Sequence, residues 1–239
     1  MANLRITWLG HGGILYRSPH DAWVWVDRWS GAPTYPADFR EAERVSVVAP
    51  THCHFDHVGD DLADLRELAS VEGAVVIGSH EMSIQLAGMG IEAVGMNVGG
   101  TFEAAGILFT MVQALHSGGA TITAVDGGQV TRELGSWGWI LEFEDGMTVY
   151  HSGDTDAFGD MRLIGERYVP EIAVVPIGGH YTMDPRGAGL ALEMVGASMA
   201  IPVHYATFPA LAGTPEQLKE HTSAAVVELE PGETWEAQP

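Results

Sequence analysis

Cysteine is almost absent from this sequence: Cys53 stands alone among 239 residues. A single thiol excludes an intrachain disulfide and any cysteine-rich zinc site. Lysine is as scarce, with Lys219 the only one. No Walker-type phosphate loop can be drawn, and no Gly-x-Gly-x-x-Gly turn follows a strand, so nucleotide cofactors have no visible home. Positive charge is thin throughout, since 11 Lys+Arg face 32 Asp+Glu for a formal charge of −21. Such a surface repels polyphosphate backbones, which argues against nucleic acid as a partner, and it reads best as a solvated acidic face. Apolar runs of membrane-span length are missing, and residues 1–5 lack a signal-peptide pattern. The expectation is a cytoplasmic chain without a membrane partner.

Apolar residues make up 46% of the chain, enough for a full core, and no linker or composition break divides it. Residues 1–239 are expected to form one domain. Strand-like runs fall at 4–9, 14–16, 23–26, 45–49, 74–77, 92–96 and 107–115, then at 137–143, 147–150, 172–177 and 199–203. Helical spacing covers 60–69, 81–87 and a segment from Pro185 to about Val195, with Asp184 as its cap. Residues 118–135 are rich in glycine and without clear periodicity, which predicts a mobile loop. Strands alternating with helices point to a layered α/β domain.

The densest chemistry lies in Thr51-His52-Cys53-His54-Phe55-Asp56-His57, directly after a short apolar run stopped by Pro50. An extended backbone projects His52 and His54 to one side, while Asp56 and His57 approach from the following turn. Cys53 should then point away and serve as a small packing residue. So many polar rings at the end of a buried strand are expensive to desolvate unless they share metal ions. Further histidines repeat the placement. His116, His151, His180 and His204 each sit at or just past the carboxyl end of a separate apolar run, with Asp154 placed likewise. In α/β folds such ends gather into one pocket. Seven ligand candidates result: His52, His54, Asp56, His57, His116, Asp154 and His204. That exceeds one tetrahedral ion's needs and suits two divalent ions sharing Asp154 and a water. Zinc comes first, with manganese, iron or nickel also compatible.

These residues carry a resemblance. Thr51-His52-x-His54-x-Asp56-His57, followed by His116, Gly153-Asp154-Thr155 and His204, resembles the metallo-β-lactamase superfamily. More closely, the chain is similar to a small group of metal-dependent hydrolases related to the ascorbate 6-phosphate lactonase branch. Gly10-His11-Gly12, Asn97-Val98-Gly99-Gly100, Pro176–Met183 and Pro202–Pro209 extend the match over nearly the whole chain. The resemblance implies a four-layer αβ/βα sandwich, two mixed β-sheets flanked by helices, with metals at one edge. It implies His52, His54 and His116 on a first metal, Asp56, His57 and His204 on a second, and Asp154 bridging. Two departures stand beside ligands: Gly118 after Ser117, where another serine is usual, and Ser152, where alanine is usual.

Other polar residues have two readings each. His11 is a pocket residue or a plain turn; Asp27 is a strand-end turn residue or an acceptor behind a liganding imidazole. His151 reads as a structural hydrogen-bonding group. His180 is either a loop histidine or a group that contacts substrate and protonates a leaving group. Tyr181 and Tyr205 line the cavity or simply pack, and His20, His80 and His221 lie outside the pattern. The function expected is a hydrolase in which hydroxide bridging two divalent metals cleaves a small-molecule ester, lactone or phosphoester, with Asp56 or His180 moving protons. The alternatives are an RNA-processing-type phosphodiesterase, disfavoured by the acidic surface, and an iron redox centre, whose flavin partner module is missing. A non-catalytic metal-binding protein is the third. A small-molecule substrate is the expected partner, and a homo-oligomer stays open.

Overall fold

Apolar segments of the chain fall into two sheets that bury their facing surfaces against each other. The computed structural model describes residues 2–39, 44–123 and 127–238. Sixteen strands are defined among them. The first eight are β1 (Arg5–Trp8), β2 (Ile14–Arg17), β3 (Trp23–Val26), β4 (Val47–Val48), β5 (Val75–Ser79), β6 (Val94–Met96), β7 (Thr101–Ala104) and β8 (Ile107–Gln113). They are followed by β9 (Gly119–Thr123), β10 (Gln129–Glu133), β11 (Trp137–Glu142), β12 (Thr148–His151), β13 (Ile172–Pro176), β14 (Met199–Val203), β15 (Ala225–Val226) and β16 (Thr234–Glu236). The helices are α1 (Phe55–Val58), α2 (Ala63–Ala69), α3 (His80–Ala87), α4 (Met161–Tyr168), α5 (Pro185–Val195) and α6 (Pro215–Lys219).

One sheet has the order β16-β1-β2-β3-β4-β5-β6 and the other β7-β8-β11-β12-β13-β14-β15. In each, the first three pairings are antiparallel and the last three parallel. The chain thus traces one topological scheme twice, a repeat that leaves no obvious trace in the residue sequence. Period-two side-chain alternation then separates the layers. Trp139, Leu141, Ile172 and Val174 join the core shared by the two sheets, which also holds Ile6, Trp25 and Val47. Their neighbours Ile140, Tyr150, Ala173 and Val175 face outward onto Ile164, Ala188 and Leu192 of α4 and α5. With Leu65, Leu68, Met82 and Leu86 of α2 and α3 buried on the other sheet, the layers form an αβ/βα sandwich of two mixed sheets.

This topology aims one set of strand ends at one edge. Alternating antiparallel pairing makes β1 run with β3, and β8 with β12, while β4, β13 and β14 are parallel to them. The carboxyl ends that carry His11, Asp27, His52, His116, Asp154 and His204 therefore converge.

Some local expectations change. The helix expected over 60–69 begins at Ala63, because Asp61 (φ 53°) and Leu62 (φ 59°), in the short 3-10 turn Asp60–Leu62, take left-handed backbone. Asp64, rather than Asp60 or Asp61, occupies its first turn. Residues 118–135 are a hairpin of β9 and β10, paired from Gly119 opposite Glu133 to Thr123 opposite Gln129. Ala120 and Ile122 are buried while β10 is exposed throughout, so the alternation was present beneath the glycines. The tip of that expected loop, 124–126, lies outside the described residues. Asp184 does cap α5, accepting from Gly187 N at 2.7 Å, and Pro185 follows at a position that needs no donor. Among the described residues, no helix is long and apolar enough to cross a membrane.

Candidate metal centre

The histidines of the centre are carried by strand ends and by one short helix that follows a strand. The β4 strand runs into Pro50-Thr51-His52, and α1 begins after His54, so this one turn delivers His52, His54, Asp56 and His57. His116 follows β8, Asp154 follows β12 and His204 follows β14. Two glycines permit the close approach. A Cβ on Gly153 (φ +61°) would lie 2.6 Å from Thr51 Cβ, and one on Gly12 would lie 2.7 Å from His57 Cε1. His11, Asp27, His180 and His204 all have positive φ, a conformation that aspartate and histidine tolerate better than most residues.

All seven predicted ligands come together. Asp154 Oδ2 is 3.1 Å from His204 Nε2, 3.3 Å from His57 Nε2, 3.6 Å from His116 Nε2 and 4.0 Å from His52 Nε2. On one side of it lie His52, His54 and His116, whose ligand atoms fall within 4.8 Å of one another. Here His52 Nε2 and His54 Nδ1 are 2.9 Å apart. Asp56, His57 and His204 form a second group of the same tightness, joined by His11. A third grouping, Asp27 with His52 and His57, meets the same limit, but Asp27 already accepts from Thr51 N at 2.7 Å and Thr51 Oγ1 at 2.6 Å. Its other contact is His57 Nδ1 at 3.0 Å. Asp27 thus stands behind the imidazole ring and sets its orientation, the reading that competed with a plain turn.

His11 belongs to the centre, beneath the cavity and in the group of Asp56, His57 and His204. It is fully buried, with Nε2 3.0 Å from Asp56 Oδ2 and Nδ1 3.0 Å from Thr207 Oγ1. His151 is buried with Nδ1 2.8 Å from the Tyr16 hydroxyl, apart from the ligand groups, as a structural residue should be. His180 is exposed, its ring 4.4 Å from that of Tyr181, and of the two only Tyr181 lines the cavity. Tyr205 stacks on Trp8 at 5.1 Å and so packs, while Cys53 is buried in the core. Neither His20, His80 nor His221 is buried.

The electrostatics show what the donor set lacks. Burial pushes His52, His54 and His116 below the ordinary imidazole range, which keeps them neutral as ligands must be. Burial also opposes charge on His57 and His204, but the carboxylates outweigh it. Asp154 and Asp27 raise His57, and Asp154 brings His204 up to about 9. Asp154 and Asp56 titrate well below the usual carboxylate range despite burial, Asp154 through His204 and His57 and Asp56 chiefly through His11. Both ring nitrogens of His57 and of His204 are buried without a hydrogen bond of proper geometry, even though carboxylate oxygens lie near. Buried carboxylates facing unpartnered imidazole nitrogens suit divalent cations better than they suit one another. The residues fit a metal centre.

Above the centre lies a cavity of about 660 Å³. Phe55, Tyr181 and Phe208 line it beside His116, Asp154 and His204. Cavity lining was one of the two readings of Tyr181; Phe55 and Phe208 were not foreseen, although Phe55 sits between two predicted ligands and Phe208 four residues after a third. Trp29, on the loop after β3, packs against both phenylalanines at 5.5 and 5.8 Å.

Comparison with known proteins agrees with this geometry. A family model described as a beta-lactamase superfamily domain matches residues 22–205. The chain is 42% identical over 246 residues to a UPF0173 metal-dependent hydrolase of Herpetosiphon aurantiacus, spanning 98% of each protein. It is 41% identical over 238 residues to one from Koribacter versatilis, spanning 98% of this chain and 99% of that one. Among solved structures, Igni18, a metallo hydrolase from Ignicoccus hospitalis, superposes with a TM-score of 0.79 at 31% identity, covering 99% of this chain and 100% of that one. On the fold, the strand-end His/Asp centre and these relatives together, the chain belongs to the beta-lactamase superfamily, among the proteins named UPF0173 metal-dependent hydrolases.

Proposed function

We propose that the protein is a hydrolase that uses two divalent ions to cleave an ester, lactone or phosphoester of a small molecule, residues 1–239 acting as one domain. The observation that carries this reading is the position of Asp154 Oδ2, within 4.0 Å of imidazole nitrogens from both ligand groups. His52, His54 and His116 are assigned to one ion, Asp56, His57 and His204 to the other, and Asp154 to both. Zinc is the first choice, and manganese, iron and nickel accept the same donors. Bound there, the ions would supply Lewis acidity and bring water toward ionisation near neutral pH.

The chain's own residues do the rest. Asp27 stands 3.0 Å behind His57 Nδ1, which leaves Nε2 turned to the centre. His11 holds Asp56 ionised and turned inward. Asp56 lines the cavity and is placed to accept a proton, whereas His180, exposed and outside the cavity lining, is given no part in protonating the leaving group. Nucleic acid is not the proposed substrate, because a chain of formal charge −21 repels a polyphosphate backbone.

The test is a panel of small esters, lactones and phosphoesters with protein stripped by chelator and then reloaded with each metal. Turnover should vanish on stripping and return on reloading. If the reloaded protein cleaves no member of the three classes, the enzyme reading fails and a non-catalytic metal-binding protein takes its place.

A further inference from the structure

The centre occupies the floor of the cavity, and the wall above it has a chemistry of its own. Phe55 is 50% exposed and Tyr181 57% exposed, although each lies in a segment otherwise rich in polar residues. Phe208 completes the wall. The rings are fixed from behind: Trp29 meets Phe55 edge-on and lies tilted against Phe208, and His11 meets both Trp29 and Phe208 edge-on at 5.3 and 5.6 Å. Large apolar side chains gathered on one concave surface and braced there mark a place for an apolar ligand group.

Charge points the same way. None of the described residues lining this cavity is Lys or Arg. Six of the described basic side chains are paired with acidic ones, and Arg132, Arg162, Arg167 and Arg186 are not among the residues lining the cavity. Arg5 pairs with Glu236, Arg17 and Arg44 with Asp21, Arg28 with Glu67, Arg66 with Asp61 and Lys219 with Glu228. An anionic group reaching up from the floor would meet aromatic rings, find no counter-ion, and lose its hydration without recompense. It would also sit in the field of a chain whose formal charge is −21.

We propose that the substrate is a neutral carbonyl compound, an ester or lactone, whose group distal to the scissile bond is apolar and rests on Phe55, Phe208 and Tyr181. This rests on the hydrolase reading above and narrows it, setting aside substrates with a distal carboxylate or phosphate.

A binding measurement separates the two. Hexanohydroxamic acid and the monohydroxamic acid of adipic acid have the same chain length and the same metal-binding head, and differ only in a terminal methyl against a terminal carboxylate. Titrated calorimetrically into the metal-loaded full chain, the hexano compound should bind at least about tenfold tighter. Phe208→Ala should weaken it about fivefold or more while leaving the adipic compound nearly unchanged, and Phe208→Arg should reverse the order. Phe208 is half-buried at the surface, and unchanged metal content and melting temperature would show that each variant is folded. Equal binding of the pair, tighter binding of the carboxylate, or no binding of either by fully loaded protein overturns the proposal. Turnover of 4-nitrophenyl hexanoate against mono(4-nitrophenyl) adipate then distinguishes the failures. A hydroxamate preference without cleavage of either ester sinks the hydrolase reading and leaves the wall assigned; cleavage of both esters alike does the reverse.

Discussion

His151→Asn isolates a buried titrating group from the metal centre next to it. His151, the last residue of β12, is buried, and burial brings its imidazole down to about 4 from 6.5. A base whose folded pKa is depressed stays neutral in the native state while the unfolded chain takes up its proton. Between pH 6.5 and about 4 the unfolded state therefore binds more protons, and the native state loses stability as the pH falls. At about 1.4 kcal/mol per pKa unit the full displacement corresponds to about 3 kcal/mol, of which about 2 kcal/mol is lost by pH 5. Asparagine keeps a polar atom opposite the Tyr16 hydroxyl, now 2.8 Å from His151 Nδ1, but does not titrate. Urea unfolding of both proteins, followed by tryptophan fluorescence in the presence of chelator so that metal release does not enter, gives the stability difference at each pH. Wild type should lead at pH 7, and its lead should shrink by about 2 kcal/mol at pH 5. A difference that is flat from pH 7 to pH 5 refutes the reasoning, because the other titrating groups are common to both proteins.

Further outcomes follow from single contacts. Gly12→Ala places a methyl group 2.7 Å from the His57 ring; it should cost about 1–3 kcal/mol and displace an ion from the His57 side, read by metal analysis. Asp27→Asn removes the carboxylate behind His57 Nδ1 and should weaken metal affinity about 10–100-fold in competition with a chromogenic chelator. Asp184→Ala deletes the cap of α5; a loss of about 1 kcal/mol with metal content unchanged is expected from thermal melts. Asp154→Ala should release metal from both positions and abolish hydrolysis, whereas His221→Ala, exposed and outside the ligand groups, should change neither. Equal losses in those two variants would contradict the site assignment.

The centre was legible because its chemistry is concentrated. His52, His54, Asp56 and His57 follow one short strand, and the other donors stand where apolar runs stop, although His151 and His180 stand at such ends too and stay outside the centre. What was not legible depends on three-dimensional approach. His11 and Asp27 each have two readings in the sequence, and only packing decides between them, by setting one against Asp56 and the other against His57. Phe55, Trp29 and Phe208 become one wall only when three loops meet. Short elements were lost for a different reason. In α4 only Met161 and Ile164 are buried and Leu163 is exposed, which leaves too faint a stripe to read. The five-residue α6 did carry a capping box at Thr214 and Gln217, so its signal was there to be found.

Anomalous diffraction from crystals grown with a single added metal, collected at that metal's absorption edge, tests the dinuclear centre most directly. Two peaks per chain are expected, one among His52, His54 and His116 and one among Asp56, His57 and His204, both in contact with the Asp154 carboxylate. One peak at full loading, or two that do not share Asp154, would contradict it.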